Sequence, residues 1–107
     1  MGIDERTIEE VVGRVLSVVR PERIIIFGSA ATGSMNRDSD IDLLILEAEL
    51  PADVREERGR IREALRGMDY PFDVLVMATE RFEESKGVIG GIAYPANKYG
   101  MVVYEAA

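Results

Sequence analysis

Three short runs in this 107-residue chain are apolar at nearly every position: RIIIF at 23–27, IDLLIL at 41–46 and FDVLVM at 72–77. Their β-branched and aromatic content reads as strand. A strand with one wet face would alternate apolar and polar residues, and these do not, so both faces of each must be covered. That requirement predicts a sheet packed between helices.

The intervening segments supply the helices. Asp4 is placed to cap a helix running to about residue 20. Its residues Ile8, Val11, Val12, Val15, Leu16 and Val19 recur at the spacing of one buried face, and Pro21 stops it. Residues 51–68 read as a second helix, with Val54, Ile61, Leu65 and Met68 on one stripe and Gly67 near its end. Thr79 is expected to cap a short helix through about residue 85. The stretch GVIGGIAYPANKYG at 87–100 holds four Gly and one Pro and reads as loop or broken helix. Residues 28–39 read as a turn with room for a short helix, then loop, and residues 101–104 as a last strand. The expected fold is α/β (α+β): a small mixed sheet of about four strands with helices on it, in a single domain over residues 1–107.

Composition removes whole classes of chemistry. The chain has neither Cys nor His. Disulfides, Cys/His zinc sites, thiol nucleophiles and imidazole bases are therefore excluded. Carboxylates, Lys, Tyr and hydroxyls remain, with Mg²⁺ or Mn²⁺ as fitting metals. The net charge of −7 argues against direct nucleic-acid binding, which needs a basic face. No apolar run reaches the roughly 18–20 residues of a membrane span. The opening MGIDERTIEE carries acids where a signal peptide would be basic, so a cytoplasmic location is expected.

Against this background the acids at the strand boundaries stand out. Asp40 and Asp42 flank one residue at the start of the second apolar run. On a strand they share a face with Cα atoms ~6.6 Å apart. Two like charges beside apolar residues repel each other and resist desolvation, and a divalent cation between them reverses the sign of that interaction. Asp73 repeats the pattern at the start of the third run. If the two strands are neighbours, three carboxylates meet at one sheet edge, a set able to hold two metals for phosphoryl transfer. One acid can also take a proton from an attacking hydroxyl. Gly28 and Ser29 directly follow the first run, where a glycine lets backbone approach a phosphate. Taken singly, Gly-Ser after a strand is common, Asp-x-Asp is often a turn or cap, and Asp73 could be a solvent-facing strand end. Their order along the chain carries the signal.

Gly28-Ser29, ten residues, then Asp40-Ile41-Asp42 resembles the GSx10DxD signature of the DNA polymerase β-like nucleotidyltransferase superfamily. The flanking FGSAATG and SDIDLLI look like its smallest members, the MNT-type minimal nucleotidyltransferases. Asp73 in PFDVLVM fits the third acid, and KYGMVVYE is similar to the terminal strand. The resemblance implies ATP as substrate, held through Mg²⁺ (two ions) by Asp40, Asp42 and Asp73, with Gly28 and Ser29 on the triphosphate. Asp73 would also assist the acceptor hydroxyl. It further implies a HEPN-domain partner, as antitoxin to toxin, with AMP passing to a hydroxyl of that partner. The alternative is an antitoxin acting by protein–protein contact with catalysis weak or lost. A homo-oligomer is left open. Many relatives carry a basic or bulky residue where this chain has Ala30, a departure that bears on phosphate or acceptor contacts.

Other features read as ordinary surface. Arg37 is a solvated loop charge that could reach a phosphate. Arg55, Arg58, Arg62 and Arg66 form a helical stripe that could meet an acidic partner or RNA, but threaded with Glu56, Glu57 and Glu63 it reads as a solvated face. Tyr94, Tyr99 and Tyr104 are expected to cover a core edge.

Overall fold

The computed structural model describes residues 3–32 and 40–107; Arg37 and most of the 28–39 connection lie outside them. The elements are α1 (Glu5–Leu16), β1 (Arg23–Phe27), α2 (Ser29–Thr32), β2 (Ile41–Glu47), α3 (Val54–Ala64), β3 (Phe72–Ala78), α4 (Thr79–Ser85), α5 (Ala93–Tyr99) and β4 (Met101–Glu105). One mixed sheet has the order β3-β2-β1-β4. β1 runs antiparallel to β2 and β4, and β2 runs parallel to β3.

The double cover demanded by the apolar strands is present. Ile24 and Ile26 of β1, with Ile41, Leu43 and Ile45 of β2, pack with Val11 and Val15 of α1 and Ile61 of α3. The alternate residues Ile25, Leu44 and Leu46 pack with Phe82 of α4 and Ala93 and Ala96 of α5. Leu43, Leu44, Ile45 and Leu46 expose nothing to solvent. Each fully buried side chain of this size contributes roughly 1.5–3 kcal/mol, so β2 is the spine of both layers.

Helix ends depart from the sequence-based expectation for local reasons. α1 stops at Leu16, four residues before the expected end. The Ser17 hydroxyl donates to the Arg14 carbonyl at 2.6 Å, and the chain tightens before Pro21. α3 starts at Val54, not Pro51, because Asp53 accepts from the Glu56 amide at 3.0 Å. It ends at Ala64, where Arg14 of α1 donates to the carbonyls of Ala64 and Arg66 at 3.1 and 2.7 Å. A cation at a helix C-terminus satisfies carbonyls that have no intrahelical partner. Thr79 is not a cap: α4 springs directly from β3, with Ala78 before it and no side-chain cap. Part of the 87–100 stretch is helical, since α5 covers residues 93–99. Pro95 falls in its first turn, where a missing N–H costs no hydrogen bond.

A second acid pair lies on the α1/α3 side of the sheet. Glu57 of α3 is only 4 % exposed and meets Glu47 at the end of β2. Glu47 Oε2 and Glu57 Oε1 are both buried without a protein donor. Burial, then the hydrogen bond to Glu57 and repulsion by its charge, push the Glu47 carboxyl up to about 8. Between the ordinary glutamate value and about 8, the folded chain binds more protons than the unfolded one. Stability should therefore fall as pH rises through that window. Thermal melts from pH 5 to pH 8 are expected to show this decline, and Glu47→Gln should flatten it and leave the variant the more stable at pH 8.

Candidate active site

β1 ends at Phe27, and β2 begins opposite it. Phe27 pairs with Asp42 across the antiparallel ladder, and Asp42 pairs with Asp73 across the parallel one. Paired residues share a face, so Asp42 and Asp73 stand side by side on the α4/α5 side of the sheet. Leu44, Leu46, Leu75 and Met77 fill the same face further along. α4 and α5 cover that far part, while Asp73 remains exposed and Asp42 half-buried. Asp40 precedes β2 by one residue and is exposed.

Asp42 carries the electrostatic tension of the site. Its carboxyl is pushed up, first by burial and then by the charges of Asp73 and Asp40. Among the described residues, no three acids converge closely enough to share one metal ion. The intimate pair is Asp42–Asp73, with Asp40 beside it in sequence. The Asp42 carboxyl, half-buried beside Asp73 at an open sheet end, fits a hard divalent cation, which relieves both its burial and the repulsion.

Gly28 is fitted to the same spot. Its φ of +76° is the left-handed region that glycine adopts at little cost. A Cβ there would run into Asp42 Oδ2 and lie 3.3 Å from its Cγ. The chain then turns at once into α2, with the Ala31 amide donating to the Gly28 carbonyl at 3.2 Å. Gly28 thus lies against the acid that the sequence pattern pairs with it, and α2 begins at the next residue. Ala30 is 2 % exposed and belongs to the larger core cluster. At position 30 this chain therefore places a small apolar side chain in the core.

One cation near this end of the sheet escaped the sequence reading. α5 ends just before Met101, which pairs with Ile26 near the end of β1. Lys98 lies in its last turn, with Nζ 3.3 Å from the Tyr94 hydroxyl and over the rings of Tyr94 and Tyr99 at 5.6 and 5.4 Å. Tyr104 does pack against the core, as expected, but Tyr99 is 54 % exposed. The only available signal was the i,i+4 spacing of Tyr94 and Lys98 inside a stretch whose glycines masked the helix.

The Gly28 fit is testable. Gly28→Ala should cost about 1–3 kcal/mol through backbone strain and displacement of Asp42. Denaturant unfolding of Gly28→Ala, Asp42→Ala and the double variant is expected to show strong non-additivity, because removing the Asp42 carboxylate removes the obstruction.

Comparison with known proteins bears on the family and the fold. The family model described as "Nucleotidyltransferase domain" matches residues 6–94. A protein of Methanocaldococcus jannaschii named "Putative protein adenylyltransferase MJ0141" is 38 % identical over 55 residues, covering 51 % of this chain and 54 % of that protein. The chain thus spans about half the length of the curated relative it matches. A toxin–antitoxin crystal structure with AMP-PNP superposes with a TM-score of 0.71 at 17 % identity, over 92 % of this chain and 73 % of that one. A mutant form of the toxin–antitoxin MntA-HpeT superposes at 0.68 and 14 % identity over the same shares. At such identities the superpositions speak for the fold; the matched family model, spanning most of the sequence, shows that the chain belongs to the nucleotidyltransferase domain family.

Proposed function

We propose that this chain transfers AMP from ATP to a hydroxyl of an acceptor carried by a partner protein, as the antitoxin of a toxin–antitoxin pair with a HEPN-domain toxin. The observation that carries the reading is the register that sets Asp42 beside Asp73 at an open sheet end, with Gly28 against Asp42. Asp42 and Asp73, with Asp40 beside them in sequence, would hold Mg²⁺, and these carboxylates fit it in donor type and in the repulsion that raises Asp42. Bound Mg²⁺ supplies positive charge to the triphosphate oxygens during in-line displacement. Gly28 leaves room beside Asp42 for the triphosphate, with Ser29 next to it. Asp73, the exposed acid, would accept the acceptor hydroxyl proton. The relative named as a protein adenylyltransferase and the toxin–antitoxin neighbours support the choice of acceptor class.

A second reading is a binding module that acts by contact alone. Val88 and Ile89, 63 % and 80 % exposed, favour it as an apolar contact surface. Incubation with labelled ATP, Mg²⁺ and the product of the neighbouring gene separates the two. Transfer that requires Mg²⁺ and falls about a hundredfold or more in Asp42→Asn supports catalysis. No transfer, with full neutralisation of the toxin by an Asp40→Asn/Asp42→Asn variant, supports contact.

Asp42→Asn has a second readout. A carboxyl whose folded-state value is raised costs stability once pH exceeds its unfolded value. At neutral pH and without metal, Asp42→Asn should therefore melt at a higher temperature than the parent chain while losing transfer.

A further inference from the structure

β3 is an edge strand. In the order β3-β2-β1-β4 its outer side has no strand partner among the described residues. Such an edge is a template for an added strand. It is also the strand that bears Asp73.

The two faces of this edge differ. Asp73 lies on the face of Leu75 and Met77, while Phe72 packs with the larger core on the other. On that other side an open cavity of about 380 Å³ separates the end of α3 from the start of β3, lined by Arg62, Glu63, Arg66, Met68, Tyr70 and Phe72. Arg62 makes no ion pair among the described residues. Arg66 reaches Glu63 at 3.4 Å, with both side chains mostly exposed. Exposed pairs of this kind contribute little and exchange readily. The hold of Arg14 on the Ala64 and Arg66 carbonyls fixes the backbone that carries both arginines.

We propose that the acceptor is an extended protein segment that adds to the outer edge of β3, with its hydroxyl residue beside Asp73 and an acidic neighbour in the Arg62/Arg66 cavity. The inference rests on the nucleotidyl-transfer reading. A strand added at ~4.8 Å puts the residue opposite Asp73 on the Asp73 face, and the residues before and after it on the opposite face. That opposite face is the one with the cavity. Guanidinium groups there match a carboxylate in shape and charge. The chain as a whole is acidic, at −7, so this cavity, with two arginines against one glutamate, is a local exception that confers register and selectivity on an acidic segment. In the transfer, the hydroxyl oxygen bonds to the α-phosphorus of ATP. The bond from that phosphorus to the bridging oxygen breaks, and pyrophosphate leaves with the electron pair. The hydroxyl proton passes to the Asp73 carboxylate and then to solvent.

Peptides of roughly ten residues, centred on Tyr or Ser and flanked by Glu, Ala or Lys, test the proposal with the full chain, Mg²⁺ and labelled ATP. The expected result is kcat/KM at least about tenfold higher for Glu-flanked than for Lys-flanked peptides. R62E/R66E should invert that order while Mg-ATP affinity by calorimetry stays unchanged. Backbone N-methylation should abolish labelling at residues whose amides face β3 and spare the alternate ones. Equal labelling of Glu- and Lys-flanked peptides, a Glu preference that survives R62E/R66E, or no labelled peptide despite Mg-ATP binding would each overturn the proposal and leave the enzyme reading standing. Absence of both Mg-ATP binding and transfer to any acceptor would overturn the enzyme reading itself, and this proposal with it.

Discussion

The burial of β2 is the constraint on which the rest depends. Leu43 to Leu46 are inaccessible on both faces, and β1 and β3 occupy both sides of the strand. No polar chemistry fits along such a strand, because an unpaired charge there would meet neither water nor a partner. Charged groups are tolerated only at the strand's two ends. Asp42 stands at one end and Glu47 at the other.

The two ends meet the same electrostatic difficulty in different settings. At one end Asp42 faces Asp73 across the parallel ladder, on an open part of the sheet that a solvated cation and a phosphate chain can reach. At the other end Glu47 faces Glu57 beneath α3, where both unpaired oxygens are enclosed. Burial, then the hydrogen bond to Glu57 and the repulsion of its charge, raise the Glu47 carboxyl so far. Access separates the two: an open acid pair suits exchangeable ligands, whereas an enclosed pair ties stability to pH.

The strands and the identity of the site acids were legible in the sequence because they depend on short-range patterns. RIIIF, IDLLIL and FDVLVM announced double burial through their lack of alternation. Gly28, Asp40, Asp42 and Asp73 were legible because each sits where an apolar run starts or stops. Helix ends were less legible, since competing caps decide them. Ser17 and the reach of Arg14 shortened α1 and α3, and Ala78 took the place expected of Thr79. α5 stayed hidden because its seven residues follow a Gly-rich run and contain Pro95. It forms as Ala93 and Ala96 join Ile25 in one buried cluster, a tertiary arrangement with no local signature.

The sequence by itself determined a sheet buried on both faces, a chemistry limited to oxygen and amine groups, and the strand-boundary acids that match a nucleotidyltransferase pattern. Alternation along the chain and residue type are enough for that. Only the tertiary structure decided that β2 and β3 run parallel and in register, that Asp73 therefore lies beside Asp42, and that Gly28 faces the same carboxylate. It also decided that β3, with its acid and the nearby arginines, is an edge. Strand order and pairing are set by contacts between residues far apart in the chain, and periodicity within a run carries no information about its neighbour.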